Sequence, residues 1–481
     1  MAIWLGHACG NGDLTMQPDL PPKSRLEAPL GARMVRQMFG ASMASLAMRI
    51  AGMGSTFGLG VVLARVLGPR DYGIYGLVIS IVALTMNIAL LGIPQLAVRE
   101  LAVLSSRGQW QRVNALWHSF ARATLIASLA TAAVTIIVAA IVPAPDHGRL
   151  PGWATGAVLG IFLTRSSLQA AALRGLGALS RGQFMDLCGR PFAALAVCAL
   201  CLLLHMKLDV NHALSIQLLV AAVAALVSGH WLRQVVAVGA SADRMKAPHG
   251  SAQPLRDATL DRVQTQWWRA SLPLGLVDIM RQLDGTYGLI LIGTMAVATD
   301  VGVYRVALSC IALVAMPTNI AHVVMAPGVA KLYRKGDKAA LQKLLTSVSL
   351  AISALSLAML GGLVIIGKFA VMLVFGGAYA QAWVPLVLLC AGQMLYSLFG
   401  MGPILLAMCG EERALTAIYA ISLTCGILLA LLLGHAFGMV GVVGGQMLSG
   451  FMVGCLSDAR ARAKLGVASA FFTRAVRPAV V

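Results

Sequence analysis

Negative charge is scarce: 18 Asp and Glu stand against 37 Lys and Arg, and charged residues make up only 11% of the 481 residues. Soluble proteins are about 25% charged and about 45 to 50% apolar. Here 59% of residues are hydrophobic, which excludes a water-soluble globule of this length. HExxH and GxSxG motifs are absent, so the common hydrolase frameworks have no foothold. The 9 Cys are scattered, mostly inside apolar runs, and form no secreted disulfide framework; Cys198-Ala199-Leu200-Cys201 reads as small-residue packing. Gly362 to Lys368 has the spacing of a phosphate-binding loop, but Phe369 stands where a magnesium-binding Ser or Thr belongs. Neither a cofactor nor a metal site is expected.

What remains is a series of apolar stretches. A membrane-spanning helix needs about 20 mainly apolar residues. Twelve stretches are read as spans: 40–67, 73–95, 118–142, 153–173, 191–205, 213–232, 271–298, 301–330, 344–366, 383–408, 414–437 and 439–456; the one from Pro191 is short, with Met185 as its alternative start. The expected fold class is an all-α integral membrane protein of about twelve helices. Gly54-x3-Gly58, Gly156-x3-Gly160 and Gly441-x3-Gly445 permit close helix packing and say nothing about substrate.

The net charge of +19 would suggest nucleic acid in a soluble protein. Here Lys and Arg concentrate on one side of the alternating spans, and only Arg65, Arg70, Arg149, Lys207 and Lys368 fall on or near the other. The positive-inside rule therefore places both termini in the cytoplasm, with no nucleic-acid partner. The expected organisation is a disordered cytoplasmic tail over 1–39, a first lobe over 40–233, a cytoplasmic linker over 234–269, a second lobe over 270–457 and a basic tail over 458–481. The tail shows no cleavable signal pattern, and Met34 offers an alternative start.

The two lobes read as copies. Asp71-Tyr72-Gly73-Ile74-Tyr75 is echoed by Asp300-Val301-Gly302-Val303-Tyr304 at an offset of 229; Arg107-Gly108-Gln109 matches Lys335-Gly336-Asp337 at 228, and Gly177 matches Gly410 at 233. Because each lobe has an even number of spans, the copies enter the membrane in the same direction, related by an axis along the membrane normal.

Ionisable groups inside spans are expensive and usually face a cavity or a partner. Arg49, Arg122, Arg165, Arg281 and Arg305 are such groups. Arg49, Arg165 and Arg281 lie near mid-membrane, and Arg49 and Arg281 are repeat mates at offset 232. Asp278 and Asp284 flank Arg281 by three residues on either side, so they either neutralise it as a structural knot or orient it for a ligand. Arg122 is close enough to the membrane edge to snorkel. Arginine in a hydrated cavity suits an anion, because its planar, permanently protonated fork makes bidentate bonds to phosphate. Asn87, Gln95, Gln169, Gln217, Asn319, Gln393 and Gln446 supply neutral groups that either meet sugar hydroxyls or bridge helices. The expected substrate site is Arg49, Arg165, Arg281, Arg305, Asn87 and Gln169, with Asp278 and Asp284 as orienting or ion-coupling acids.

Leu63-Ala64-Arg65-Val66-Leu67-Gly68-Pro69-Arg70-Asp71-Tyr72-Gly73-Ile74-Tyr75 resembles the signature between the first two helices of bacterial polysaccharide-export flippases, the O-antigen translocase (Wzx-like) family. Leu91-Gly92-Ile93 and Ala97-Val98-Arg99-Glu100-Leu101-Ala102 look like the exit of that family's second helix. The resemblance implies the fold of the multidrug, oligosaccharidyl-lipid and polysaccharide exporter superfamily, with two six-helix lobes around a central cavity. It further implies a non-enzymatic flippase in the bacterial inner membrane that translocates an undecaprenyl-diphosphate-linked oligosaccharide for O-antigen, capsule or exopolysaccharide export. A polysaccharide polymerase would be a partner. The alternatives are a lipid II flippase, a cation-coupled multidrug exporter of the same superfamily, or a membrane polysaccharide polymerase. The scarcity of cavity acids and the short outward loops count against the last two.

Overall fold

A computed structural model describes residues 27–141, 150–246, 257–295, 298–470 and 472. The described residues are almost wholly helical: α1 (Glu27–Leu90), α2 (Ile93–Ser106), α3 (Trp110–Ile141), α4 (Leu150–Gly175), α5 (Leu179–Gln183), α6 (Arg190–Leu203), α7 (Val210–Lys246) and α8 (Asp257–Met295). There follow α9 (Ala298–Val314), α10 (Met316–Lys335), α11 (Lys338–Phe375), α12 (Trp383–Phe399), α13 (Gly402–Met408), α14 (Glu412–Phe437) and α15 (Met439–Leu465). The chain divides into a compact unit ending at Ser45 and a second from Leu46 onward, which holds both lobes. Of the expected tail, 1–26 lie outside the described residues and 27–39 are helical; 247–256 of the expected linker, and 471 and 473–481 of the basic tail, also lie outside them.

Nine helices among the described residues are long and apolar enough to cross a membrane, and α9 with α10, bent by 41° at Ala315, makes a tenth. α1 holds two of the expected spans. Its backbone leaves helical geometry at Gly68 (φ 72°), and Pro69 starts the next helix with its fixed φ and no N–H to satisfy. The Tyr72 hydroxyl lies against Gly60, which only a chain doubled back at Gly68 allows. α8, which carries Asp278, Arg281 and Asp284, covers the expected span over 271–298 up to Met295. A π-helical stretch, Phe184–Gly189, joins α5 to α6 just ahead of the expected span over 191–205, and the expected span over 383–408 is interrupted where α12 stops at Gly400 (φ 49°) before α13 resumes.

α4 packs against α2, α3 and α7 in the first lobe, while α12 and α14 pack against α15 in the second. The predicted duplication is written into the backbone and side chains alike. The turn glycines Gly108 and Gly336 have φ of 72° and 73°, and Gly177 and Gly410 have 85° and 81°. Tyr75 accepts a hydrogen bond from Gln217, and Tyr304 donates one to Gln446; the two pairs have the same sequence separation of 142 and are repeat mates at offset 229.

The lobes meet at the end of the helices that bears Gly68. Each copy of the shared motif presses a glycine onto the other. A β-carbon at Gly73 would lie 2.3 Å from the Ala298 carbonyl oxygen, and one at Gly302 would lie 1.8 Å from that of Pro69. Residues 69 and 298, like 73 and 302, are mates at offset 229, so the contact is self-complementary, as a two-fold interface must be. Tyr379 donates to the Ala64 carbonyl (2.8 Å), and Arg65 donates to the carbonyls of Val374 (2.7 Å) and Leu373.

Candidate transport cavity

Below this seal, between the lobes, lies a cavity of about 500 Å³. Thr56 and Ser80 reach it from α1, and Arg281, Arg305, Tyr396 and Gln446 from the second lobe. A smaller space of about 290 Å³ shares Arg281, Gln393, Tyr396 and Tyr419 with it, and extends the cleft toward the end bearing Gly108 past Gln95, Asp278 and His322.

Arg305 sits at the top of the cavity. Its Nη1 donates to Ser80 Oγ across the lobe boundary at 3.1 Å, while its buried Nε has no hydrogen-bond partner. The side chain has room because residue 76 is glycine: a β-carbon there would stand 3.1 Å from Arg305 Cδ. Residue 76 is the mate of 305 at offset 229, so the arginine lies on the pseudo-two-fold axis, against its own counterpart.

Arg281 lines both spaces, with its side chain 69% exposed and paired to Asp278 at 3.1 Å. Asp278 also accepts from Gln95 of α2, fastening α8 to the first lobe. Asp284 does not join this pair. Its carboxylate accepts from Ser449 Oγ, and its backbone carbonyl accepts from Gln446 Nε2 at 3.1 Å. Of the two flanking acids, then, one neutralises Arg281 and the other is tied to α15.

The remaining predicted residues do not converge on this cavity. Arg49 is half-buried and makes no hydrogen bond or ion pair among the described residues. Asn87 lines neither space, and its Nδ2 donates to the Ala83 carbonyl one turn back, at 2.8 Å. Arg165 and Gln169 line a different pocket, between α3, α4 and α7. Conversely, Thr56, Ser80, Tyr396 and Tyr419 line the cleft without any signal in the sequence. Hydroxyl side chains in apolar runs are too common to single out, and their role shows only when two lobes face each other. No group of three or more potential metal ligands occurs among the described residues.

Residues 41–333 match the family model of polysaccharide biosynthesis proteins, Polysacc_synt. The chain belongs to that family. Solved structures similar to this family member include an inward-facing multidrug resistance MATE transporter of the MOP superfamily, at 12% identity and a TM-score of 0.67 over 88% of this chain and 98% of that one. The lipid II flippase MurJ, in an inward closed conformation, follows at 10% identity and 0.62, with 88% and 87% covered. A MOP superfamily transporter from Pyrococcus furiosus, described as having a binding pocket of reverse polarity, gives 13% and 0.59, with 88% and 95% covered. No curated protein matches the chain. The family member is a multi-pass membrane protein with the MOP transporter fold, whose solved fold-mates are transporters and a flippase rather than enzymes.

Proposed function

We propose that this protein flips an undecaprenyl-diphosphate-linked oligosaccharide across the bacterial cytoplasmic membrane for O-antigen, capsule or exopolysaccharide export. The observation that carries this reading is Arg305, a cationic group on the lobe axis with a buried, unpartnered N–H at the top of a cavity between the lobes. Arg305 and Arg281 would receive the diphosphate, and the amides of Gln393 and Gln446 with the hydroxyls of Thr56, Tyr396 and Tyr419 would receive sugar hydroxyls. The polyprenyl chain would stay in the bilayer. With both termini cytoplasmic, the sealed Gly68 end faces outward, so this conformation is the one that loads from inside. Parting the seal while the opposite end closes would then release the cargo outside. Asp278 is the acid best placed to exchange its arginine partner for an ion during the cycle. The match to the lipid II flippase keeps a peptidoglycan precursor as the second reading.

The test is the sidedness of lipid-linked oligosaccharide in a deletion strain complemented with wild type, Arg305→Gln or Arg281→Gln. Cytoplasmic-face build-up relieved by wild type, but not by the equally abundant variants, supports flipping through this cavity. Outer-face build-up of unpolymerised units would overturn it in favour of a polymerase.

A further inference from the structure

We infer that the first lobe carries a second anion site, separate from the transport cavity, that takes a phosphate ester bearing a hydroxyl group. The site is a pocket of about 450 Å³ lined solely by α3, α4 and α7, and it shares no residue with the cleft between the lobes.

α3 and α4 each offer two polar residues one turn apart on one face, the spacing that aims neighbours at a common point, and α7 offers an arginine one turn from a glycine. α4 supplies Arg165 and Gln169, α7 supplies Gly229 and Arg233, and α3 supplies Asn114 and His118. No carboxylate is among the lining residues, in contrast to the central cleft, where Asp278, Asp284 and Glu412 offset the arginines. Arg165 has no hydrogen-bond or ion-pair partner among the described residues, and Arg233 has only the Gly229 carbonyl at 3.4 Å. The His118 ring is held by its Nδ1–H, which donates to the Asn114 carbonyl at 2.7 Å.

Gln169 shows what else the ligand must carry. It is 3% exposed, and its Oε1 is buried with no hydrogen-bond partner. Its amide fits only because residue 229 is glycine, where a β-carbon would stand 2.9 Å from Nε2. An unpaired buried acceptor is costly, and a ligand hydroxyl beside the anionic group would satisfy it.

The pocket opens along an apolar path. Leu226, one of its lining residues, is 68% exposed, and Leu219 and Val223 continue the same face of α7 at 60% and 49%. Leu125 and Leu129 continue the α3 face beyond His118 at 40% and 52%. A hydroxyl-bearing phosphodiester of a membrane lipid fits both ends, with its phosphate between Arg165 and Arg233 and its chains along these leucines. A soluble sugar or polyol phosphate would satisfy the same polar groups.

The test is native mass spectrometry of the purified full-length protein in detergent with phosphatidylglycerol, and separately with glycerol 3-phosphate. Wild type and Arg281→Gln should retain phosphatidylglycerol equally, and Arg165→Gln/Arg233→Gln should weaken it by about tenfold or more. Gln169→Leu, which leaves both arginines in place, should lessen the preference for phosphatidylglycerol over phosphatidic acid. Retention of the lipid alone identifies the bilayer as the source, and equal retention of glycerol 3-phosphate identifies a soluble ester; either supports the site. Undiminished binding in the double variant, or no binding of either probe by wild type, overturns it. Because the cavity variant keeps this lipid whether or not it flips glycan, failure here and failure of the flippase reading are told apart.

Discussion

Gly302 lies so close to the Pro69 carbonyl that even a methyl group at 302 would stand 1.8 Å from its oxygen. The atom met is backbone, which has no rotamer to yield, so Gly302→Ala must part the seal at the Gly68 end. Overpacking of this kind costs about 1 to 3 kcal/mol. The variant should therefore shift the protein toward the conformation open at that end. Val301 is 1% exposed. A cysteine placed there in a cysteine-depleted background should be protected from maleimide labelling, and its labelling should rise roughly five- to hundredfold when Gly302→Ala is added.

Tyr379 provides a milder test of the same seal. Its hydroxyl donates to the carbonyl of fully buried Ala64 at 2.8 Å. Tyr379→Phe removes one neutral hydrogen bond, worth about 1 kcal/mol, and leaves the ring packing intact. Labelling at position 301 should increase by about fivefold, with expression and melting temperature little changed.

Much of this architecture was legible in the sequence, for identifiable reasons. Apolar run length finds spans because lipid offers no hydrogen bonds to an unpaired backbone. The echo of residues 71–75 at 300–304 found the duplication, because both copies must build the same turn and the same self-complementary contact. The Arg281 pair with Asp278 was readable from three-residue spacing on one helix. The direction each side chain faces was not. Depth along α4 gave Arg165 the same level as Arg281, but α4 packs against α3 and α7, and its arginine lines the pocket it forms with them instead of the central cleft. Asn87 is not among the residues lining the central cleft, and its Nδ2 donates to its own helix. Local bonding of this kind is always available to a polar side chain in a span.

At the end of α15 a buried carboxylate organises the chain beyond it. Asp458 is fully buried, accepts from the Ser469 N–H (2.6 Å), the Ser469 hydroxyl (2.8 Å) and the Ala470 N–H (3.0 Å), and pairs with Arg462 at 2.8 Å. Replacing it by Ala leaves these donors and a partly buried guanidinium without their partner. Asp458→Ala should lower stability by about 3 to 5 kcal/mol. Thermal unfolding in detergent should show a large fall in melting temperature, and Asp458→Asn, which keeps the acceptor oxygen, a smaller one.

A pH effect is expected from Glu411, in the turn between α13 and α14. Hydrogen bonds from Lys464 and from Arg460 (3.0 Å) hold its carboxyl below its ordinary pKa of 4.5. A carboxyl with a lowered folded-state pKa stabilises the fold above its ordinary value and loses that contribution as pH falls through the lowered one. Melting temperature measured downward from pH 6 should begin to fall near the ordinary carboxylate range. Glu411→Gln should start lower at pH 6 and have a shallower acid slope.

Arg305 resting on Gly76 has a consequence for how such a molecule can be encoded. Two identical six-helix chains paired about a true two-fold would have to repeat at the axis whatever one of them placed there. Two arginines would meet charge to charge, and two glycines would leave no charge at all. Joining the copies in a single polypeptide lifts that restriction, since each half then mutates alone and one can give up its side chain to house the other's. A lone cation at the centre of a nearly symmetric molecule is therefore open to the fused chain and closed to a homodimer of its halves.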